Sequence, residues 1–248
     1  MNKYGLIGYP LGHSFSKRFF TEKFAREGID ACYDNYEIED AQMLLDVVRQ
    51  NPELRGLNCT IPHKQAIMPL LDSISQEARE IGAVNVIRIR RNETGAPTLE
   101  GFNSDVVGFR ESIKPLLEHK HRKALVLGTG GASKAICYAL TQLGLEWKLV
   151  SRSKRGDNFT YDELTADILR QYTVIVNCSP VGMHPHTDEA PQLPYEAIGP
   201  QHLLFDLIYN PTETLFLKRG RERGAVTKNG LEMLELQALE SWRIWNST

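Results

Sequence analysis

The residues best suited to chemistry lie in a few short runs. In "ALVLGTGGASKAI" an apolar stretch ends at Gly128, and Thr129, Gly130, Gly131 and Ala132 lead into a helical pattern. Small residues let a backbone turn tightly and approach a pyrophosphate, and the N–H groups at a helix start favour its charge. The next strand, "WKLV", runs into "SRSKRG". A fold that binds NAD ordinarily ends this strand with a carboxylate for the ribose 2′-hydroxyl, and a carboxylate would repel a 2′-phosphate. Here Ser151 and Ser153 offer hydroxyl donors, while Arg152, Lys154 and Arg155 supply positive charge in a form that suits phosphate. Taken singly, the first run is also a plain strand-to-helix turn and the second a solvated basic loop. Joined, they point to NADP(H).

A nicotinamide that takes hydride from an alcohol needs a partner group to exchange the hydroxyl proton. In "NCTIPHK", residues 58–64, Lys64 is the candidate, because burial lowers an amine's pKa toward neutrality and a nearby carboxylate raises it again. The carboxylate to pair with it is Asp105, in "GFNSDVVGF". A lone lysine is ordinarily a solvated side chain, so Lys64 acquires a role only from its context.

The elements that must position these residues alternate along the chain. "YGLIGY", "ACYDNYEI" and "LRGLNCT" read as strands, and residues 16–27 and 41–50 as helices. A second alternating series begins after residue 105 with a helix to about residue 118, and includes "KLVSR", "TVIVNCSP" and "HLLFDLIYN". The expected fold is therefore α/β in two domains: a substrate domain with a mostly parallel sheet, and a doubly wound, Rossmann-type NADP domain. Asp105 falls where the two series meet, so it is expected to border an interdomain cleft. Residues 230–245 place Leu231, Leu234, Ala238, Trp242 and Trp245 on one face of a final helix. "RRNETGAP" reads as a hairpin loop and "VGMHPHTDEAPQLP" as a long loop near a site.

Composition narrows the partners. At 42% hydrophobic and 24% charged, with a formal net charge of −2, the 248 residues hold enough apolar material for one or two cores and no field that would gather nucleic acid or an anionic membrane. No apolar run approaches the roughly 20 residues of a membrane span. The four cysteines are scattered without a C-x-x-C pair, and the first residues lack a signal-peptide pattern, so a reducing cytoplasm is expected. The two H-x-H runs, His119 with His121 and His184 with His186, lack further ligands at zinc spacing, and no metal is expected.

Taken in order, "GYPLGHSFS", "NCTIPHK", "IGAVNVI", "GFNSDVVGF", "GTGGASKAI", "NCSPVGM", "FDLIYNPTET" and "NGLEMLELQA" resemble the successive motifs of the shikimate dehydrogenase family, from residue 5 to about 238. The resemblance implies NADPH-dependent reversible reduction of 3-dehydroshikimate to shikimate, on the way to chorismate and the aromatic amino acids. It implies Lys64 and Asp105 as the catalytic pair, and Ser14 and Ser16 as holders of the substrate carboxylate. Thr60 and Asn85 match contacts to ring hydroxyls, with Asn58 beside them; Tyr209 and Gln237 match further substrate contacts. Leu207 and Gly230 correspond to positions lining the nicotinamide, and residues 128–132 and 151–155 to the phosphate-binding parts. "SRS" stands where the family more often has "NRT", which keeps the Arg. The domains implied are residues 1–104 with 232–248 for substrate, and 105–231 for NADP, in a monomer or homodimer.

Plainer readings stand beside these. Without the family, Ser14 and Ser16 read first as helix caps, Asn85 as a turn residue and Tyr209 as a partly buried aromatic. Two other functions also stay open on the sequence: a quinate/shikimate enzyme with relaxed use of NAD and NADP, and a ligand-sensing homologue that does no chemistry. The presence of both Lys64 and Asp105 counts against the second.

Overall fold

The computed structural model describes residues 1–12 and 14–247. The chain forms two compact units, Met1–Ser104 together with the chain from Gln237, and Asp105–Leu236.

In the first unit the elements run β1 (Asn2–Gly8), α1 (Phe15–Glu27), β2 (Ala31–Glu37), α2 (Met43–Gln50), β3 (Leu54–Cys59), β4 (Ser73–Ile74), α3 (Gln76–Ile81), β5 (Val86–Arg91) and β6 (Pro97–Phe102). The sheet order is β2-β1-β3-β5-β6-β4. β5 is antiparallel to β3 and β6, whereas the remaining pairings are parallel, so among the described strands of this sheet β5 alone is reversed. The mostly parallel sheet expected from the sequence is present, and "RRNETGAP" spans the β5–β6 hairpin.

Alternation along β1 explains how the sheet is covered. Successive side chains point to opposite faces, and Tyr4 and Leu6 enter one core while Ile7 enters the other. The first core joins Phe20 and Phe24 of α1 with Tyr33, Trp245 and Ala238. Phe20 stacks on Tyr33 at 4.8 Å between centroids and Tyr4 on Trp245 at 4.9 Å, and Trp245 Nε1 donates to the Ile87 carbonyl at 3.1 Å. The opposite core carries Leu44 and Val48 of α2 and Ala78 of α3 against Ile7, Leu57 and Ile87.

The second unit contains α4 (Asp105–Ile113), β7 (Lys123–Leu127), α5 (Gly131–Gln142), β8 (Glu146–Ser151), β9 (Phe159–Thr160), α6 (Ala166–Gln171), β10 (Val174–Asn177), β11 (Leu203–Asp206), α7 (Leu215–Glu222) and β12 (Val226–Lys228). The last helix, α8 (Leu231–Asn246), begins here and carries the chain beyond Gln237. The sheet order is β12-β11-β10-β7-β8-β9 and every pairing is parallel, the doubly wound arrangement expected. Val174–Asn177 and Leu203–Asp206 are buried throughout, because a parallel sheet has helices on both faces. The strand order reverses between β7 and β10, and ligands of such sheets bind at that switch, beyond the carboxyl ends of the strands. Among the described residues no helix is long and apolar enough to cross a membrane.

Candidate active site

In the first unit, strand direction gathers the predicted residues at one sheet end. β1 and β3 finish there, at Gly8 and Cys59, and Thr60 N donates to the Ile7 carbonyl at 2.9 Å. Because β5 is reversed, its beginning lies at the same end, which brings Asn85 beside the end of β3: Cys59 N donates to the Asn85 carbonyl at 2.8 Å. Asn85 N in turn donates to the Phe102 carbonyl at 3.0 Å, at the end of β6. Ser14 caps α1 after β1, its Oγ accepting from Lys17 N at 3.2 Å, and Ser16 is buried in the first turn. The capping role read for Ser14 is therefore real, and it leaves the hydroxyl proton available for another acceptor.

Lys64 lies in the turn after β3. Its carbonyl accepts from Val84 N at 2.7 Å, and the turn is held from below by His63, whose ring is buried and whose Nε2 donates to the Ile38 carbonyl at 2.6 Å. A carbonyl only accepts, so Nε2 carries the proton.

A buried polar chain ties this end of the unit together. Tyr33 stands at one end of it, its phenol held protonated by burial. Tyr33 Oη donates to Asn58 Oδ1 at 2.8 Å, Asn58 Nδ2 donates to Ser241 Oγ at 2.9 Å, and Ser241 Oγ donates to the Gln237 carbonyl at 2.8 Å. A branch runs through Ser104: its N–H donates to Asn85 Oδ1 at 2.7 Å, and its Oγ accepts from Asn85 Nδ2 at 3.1 Å and lies 3.3 Å from Gln237 Oε1. Hydrogen bonds in series polarise one another, and a buried polar group left without a partner costs roughly 1–3 kcal/mol, so the chain fixes each amide in one orientation. Tyr33 and Ser241 escaped the sequence reading. A Tyr in an edge strand and a Ser on a helix face give no local signal, since the bond to Asn58 spans 25 and 183 residues respectively.

In the second unit Asp105 is buried at the first turn of α4, one peptide bond after Ser104, and its charge complements the helix dipole. Gly130 caps α5 without a side-chain hydrogen bond, and a Cβ at Gly130 or Gly131 would meet nothing within 4 Å. The helix start therefore presents its N–H groups to open space. Thr129 is exposed and Ala132 half-buried. Beyond β8, Ser151 Oγ donates to the Ser153 carbonyl at 2.5 Å, and Lys154 makes a two-pronged contact with Glu163 at 2.8 and 2.9 Å. Among the described residues neither Arg152 nor Arg155, both exposed, is ion-paired.

On the other side of the switch, Asp206 is fully buried at the end of β11. It accepts from Thr214 Oγ1 at 2.6 Å, Ile208 N at 3.1 Å and Asn177 Nδ2 at 3.1 Å, and burial still pushes its carboxyl up to about 6. These bonds fix the segment bearing Leu207 and the exposed Tyr209. Gly230 N donates to the Ile208 carbonyl at 3.1 Å, and a Cβ at Gly230 would fall 2.1 Å from the Leu207 carbonyl oxygen, so only glycine permits this approach. Among the described residues no group of three or more His, Cys, Asp or Glu side chains is arranged to hold a metal.

The family model described as the shikimate dehydrogenase substrate binding domain matches residues 6–87. The chain is 36% identical to the shikimate dehydrogenase (NADP(+)) of Caldanaerobacter subterraneus subsp. tengcongensis over 98% of its own length and 90% of the relative's. The chain belongs to the shikimate dehydrogenase family. Solved members agree in fold: a chorismate mutase/shikimate 5-dehydrogenase fusion protein from Clostridium acetobutylicum superposes with a TM-score of 0.86 at 36% identity, covering 99% of this chain and 91% of that one. The Thermus thermophilus shikimate 5-dehydrogenase in complex with NADP(H) and shikimate gives 0.85 at 29% identity, covering 99% and 94%. The family likeness thus extends over both units, beyond the substrate domain that its model matches.

Proposed function

We propose that the chain interconverts 3-dehydroshikimate and shikimate with NADP(H). The observation that carries this is the gathering of Ser14, Ser16, Asn58, Thr60, Lys64, Asn85 and Gln237 at one sheet end, braced by a continuous buried hydrogen-bond chain, within a family of this activity.

The second unit supports the choice of cofactor. The uncapped start of α5 faces open space where a pyrophosphate would lie, and the loop after β8 offers two unpaired guanidinium groups to a 2′-phosphate, its one acid, Asp157, being paired with Lys148. Gly128, Thr129, Gly130, Gly131 and Ala132 would hold the pyrophosphate; Ser151, Arg152, Ser153 and Arg155 the 2′-phosphate; Leu207 and Gly230 the nicotinamide. When bound, the cofactor supplies or accepts the hydride.

The remaining steps belong to the protein. Ser14 and Ser16 bind the substrate carboxylate through hydroxyl donors, and Thr60, Asn85 and Gln237 fix the ring hydroxyls, with Tyr209 as a further contact. Asn58 lies beside them, its amide held between Tyr33 and Ser241. Lys64 gives a proton to the oxygen that becomes the hydroxyl on reduction and takes it back on oxidation, and Asp105 supports the ammonium charge. The deciding experiment follows reduced nicotinamide by absorbance, with shikimate or quinate and NADP or NAD. Turnover of shikimate with NADP is expected to exceed the other combinations, and no turnover in any would refute the proposal.

A further inference from the structure

The basic loop after β8 is built around a residue with no assigned role. β8 and β9 pair in parallel, Val150 opposite Phe159 and Ser151 opposite Thr160, although only residues 152–158 connect them. Parallel neighbours ordinarily need a crossover of about a dozen residues or more. So short a connection must double back on itself, and Gly156, at φ +61°, takes part of the turn.

Asn158 holds the inside of this loop and is buried. Its Nδ2 lies 2.8 Å from Ser151 Oγ, 3.2 Å from the Ser153 carbonyl and 2.8 Å from the Phe159 carbonyl, all acceptors, and its Oδ1 accepts from Arg155 N. One amide thus engages Ser151, Ser153 and Arg155 at once, using both of its protons and its oxygen. Outside, Lys154 is drawn to Glu163 and Lys148 pairs with Asp157, so the loop's acid is neutralised and the exposed charges left are Arg152 and Arg155.

We infer that Asn158 is a positioning residue that sets the preference for NADP(H) over NAD(H). The inference rests on the NADP(H) reading above and assigns the selectivity to the shape of the loop as well as to its charge. A loop already folded binds a 2′-phosphate without the entropy loss of ordering it, and NAD(H), which lacks that phosphate, gains nothing from the order. Loosening the loop should therefore weaken one cofactor and spare the other, with both arginines still in the chain.

The test measures KM and kcat with NADPH and with NADH for the wild type and Asn158→Ala. Alongside, calorimetry gives the affinities of adenosine 2′,5′-bisphosphate and of 5′-AMP. The substitution is expected to raise the NADPH KM and weaken the bisphosphate about tenfold, while NADH, 5′-AMP and the 3-dehydroshikimate KM stay within about twofold. Equal weakening of both cofactors, as from general loss of structure, or no weakening of either, would overturn the inference. Should Asn158→Ala fold poorly, Asn158→Ser keeps a polar side chain there that is too short to engage Ser151, Ser153 and Arg155 together. It is expected to give the same selective loss in smaller measure, and equal or absent losses there would overturn the inference too. The calorimetric ratio needs no turnover, whereas wild-type turnover of shikimate with NADP tests the dehydrogenase reading itself, so the two fail separately.

Discussion

Lys64 sits in a turn pinned through its own carbonyl to Val84 and braced by His63, so the backbone fixes where the ammonium starts without using its protons. Replacing it by alanine should leave that scaffold intact and remove only the proton exchange. Lys64→Ala is expected to lower kcat on the order of a hundredfold or more. NADPH affinity measured by fluorescence titration should be nearly unchanged, and parallel loss of both would contradict the role. The glycine turn and Lys64 could be singled out as candidates from their residue types and chemistry, whereas Ser14 and Asn85, which alone read as a cap and a turn residue, became candidates only through the resemblance. Asn158, Tyr33 and Ser241 were not legible. Their importance lies in what they touch, and an Asn in "GDNFTY" looks like any other loop residue.

At the scale of elements, long periodic segments could be read and short ones could not. Helices expected over 16–27 and 41–50 occur as Phe15–Glu27 and Met43–Gln50, and the final helix expected over 230–245 as Leu231–Asn246. The helix expected to about residue 118 ends at Ile113, where Pro115 follows and a tighter 3-10 turn takes over. Strands such as Ser73–Ile74 and Phe159–Thr160 are too short to show any period and exist only because a neighbouring strand pairs with them. Two elements carry predictions of their own. Ser241 of α8 accepts from Asn58, whose next acceptor, the Asn85 carbonyl, is 3.4 Å away. Ser241→Ala is therefore expected to destabilise the protein by roughly 1–3 kcal/mol and to raise the shikimate KM while sparing the NADP KM. A stability loss with both constants unchanged would reduce Ser241 to a packing role. In the loop after β8, Arg152→Ala should weaken NADPH roughly tenfold or more and NADH little, as loss of a charge-assisted hydrogen bond would. A titration without that difference would remove the arginine from the cofactor site.

For the whole molecule, each unit has its own hydrophobic core, and the two-domain α/β plan was legible from alternation alone. The reversal of β5 was legible only in part: the hairpin loop at "RRNETGAP" implies an antiparallel pair, but hydrophobic period, the same in either direction, does not say which of the two strands runs against the rest of the sheet. Stability should also carry a signature of Asp206. Its folded pKa, about 6, lies above the ordinary 3.8, so its favourable term is complete below the lower value and is lost as pH rises through the higher one. The ionised carboxylate then costs the fold roughly 3 kcal/mol. Asp206→Asn keeps an acceptor for Ile208 N and Asn177 and supplies a donor to Thr214 Oγ1. Its unfolding free energy minus that of the wild type should therefore rise by up to roughly 3 kcal/mol between about pH 4 and about pH 7. Urea titrations that give a constant difference across that range would show that Asp206 does not titrate as described.

The stacking of Trp245 against Tyr4, with its indole N–H held by Ile87, gives the substrate unit a dry chromophore of its own. Trp242 lies in the same aromatic cluster, while Trp147, the remaining indole, stands on β8 in the other unit with 37% of its surface in contact with solvent. Intrinsic emission should accordingly separate into a blue component from the first unit and a redder one from the second. Spectral shifts during denaturation would then tell which unit melts first, without any attached dye.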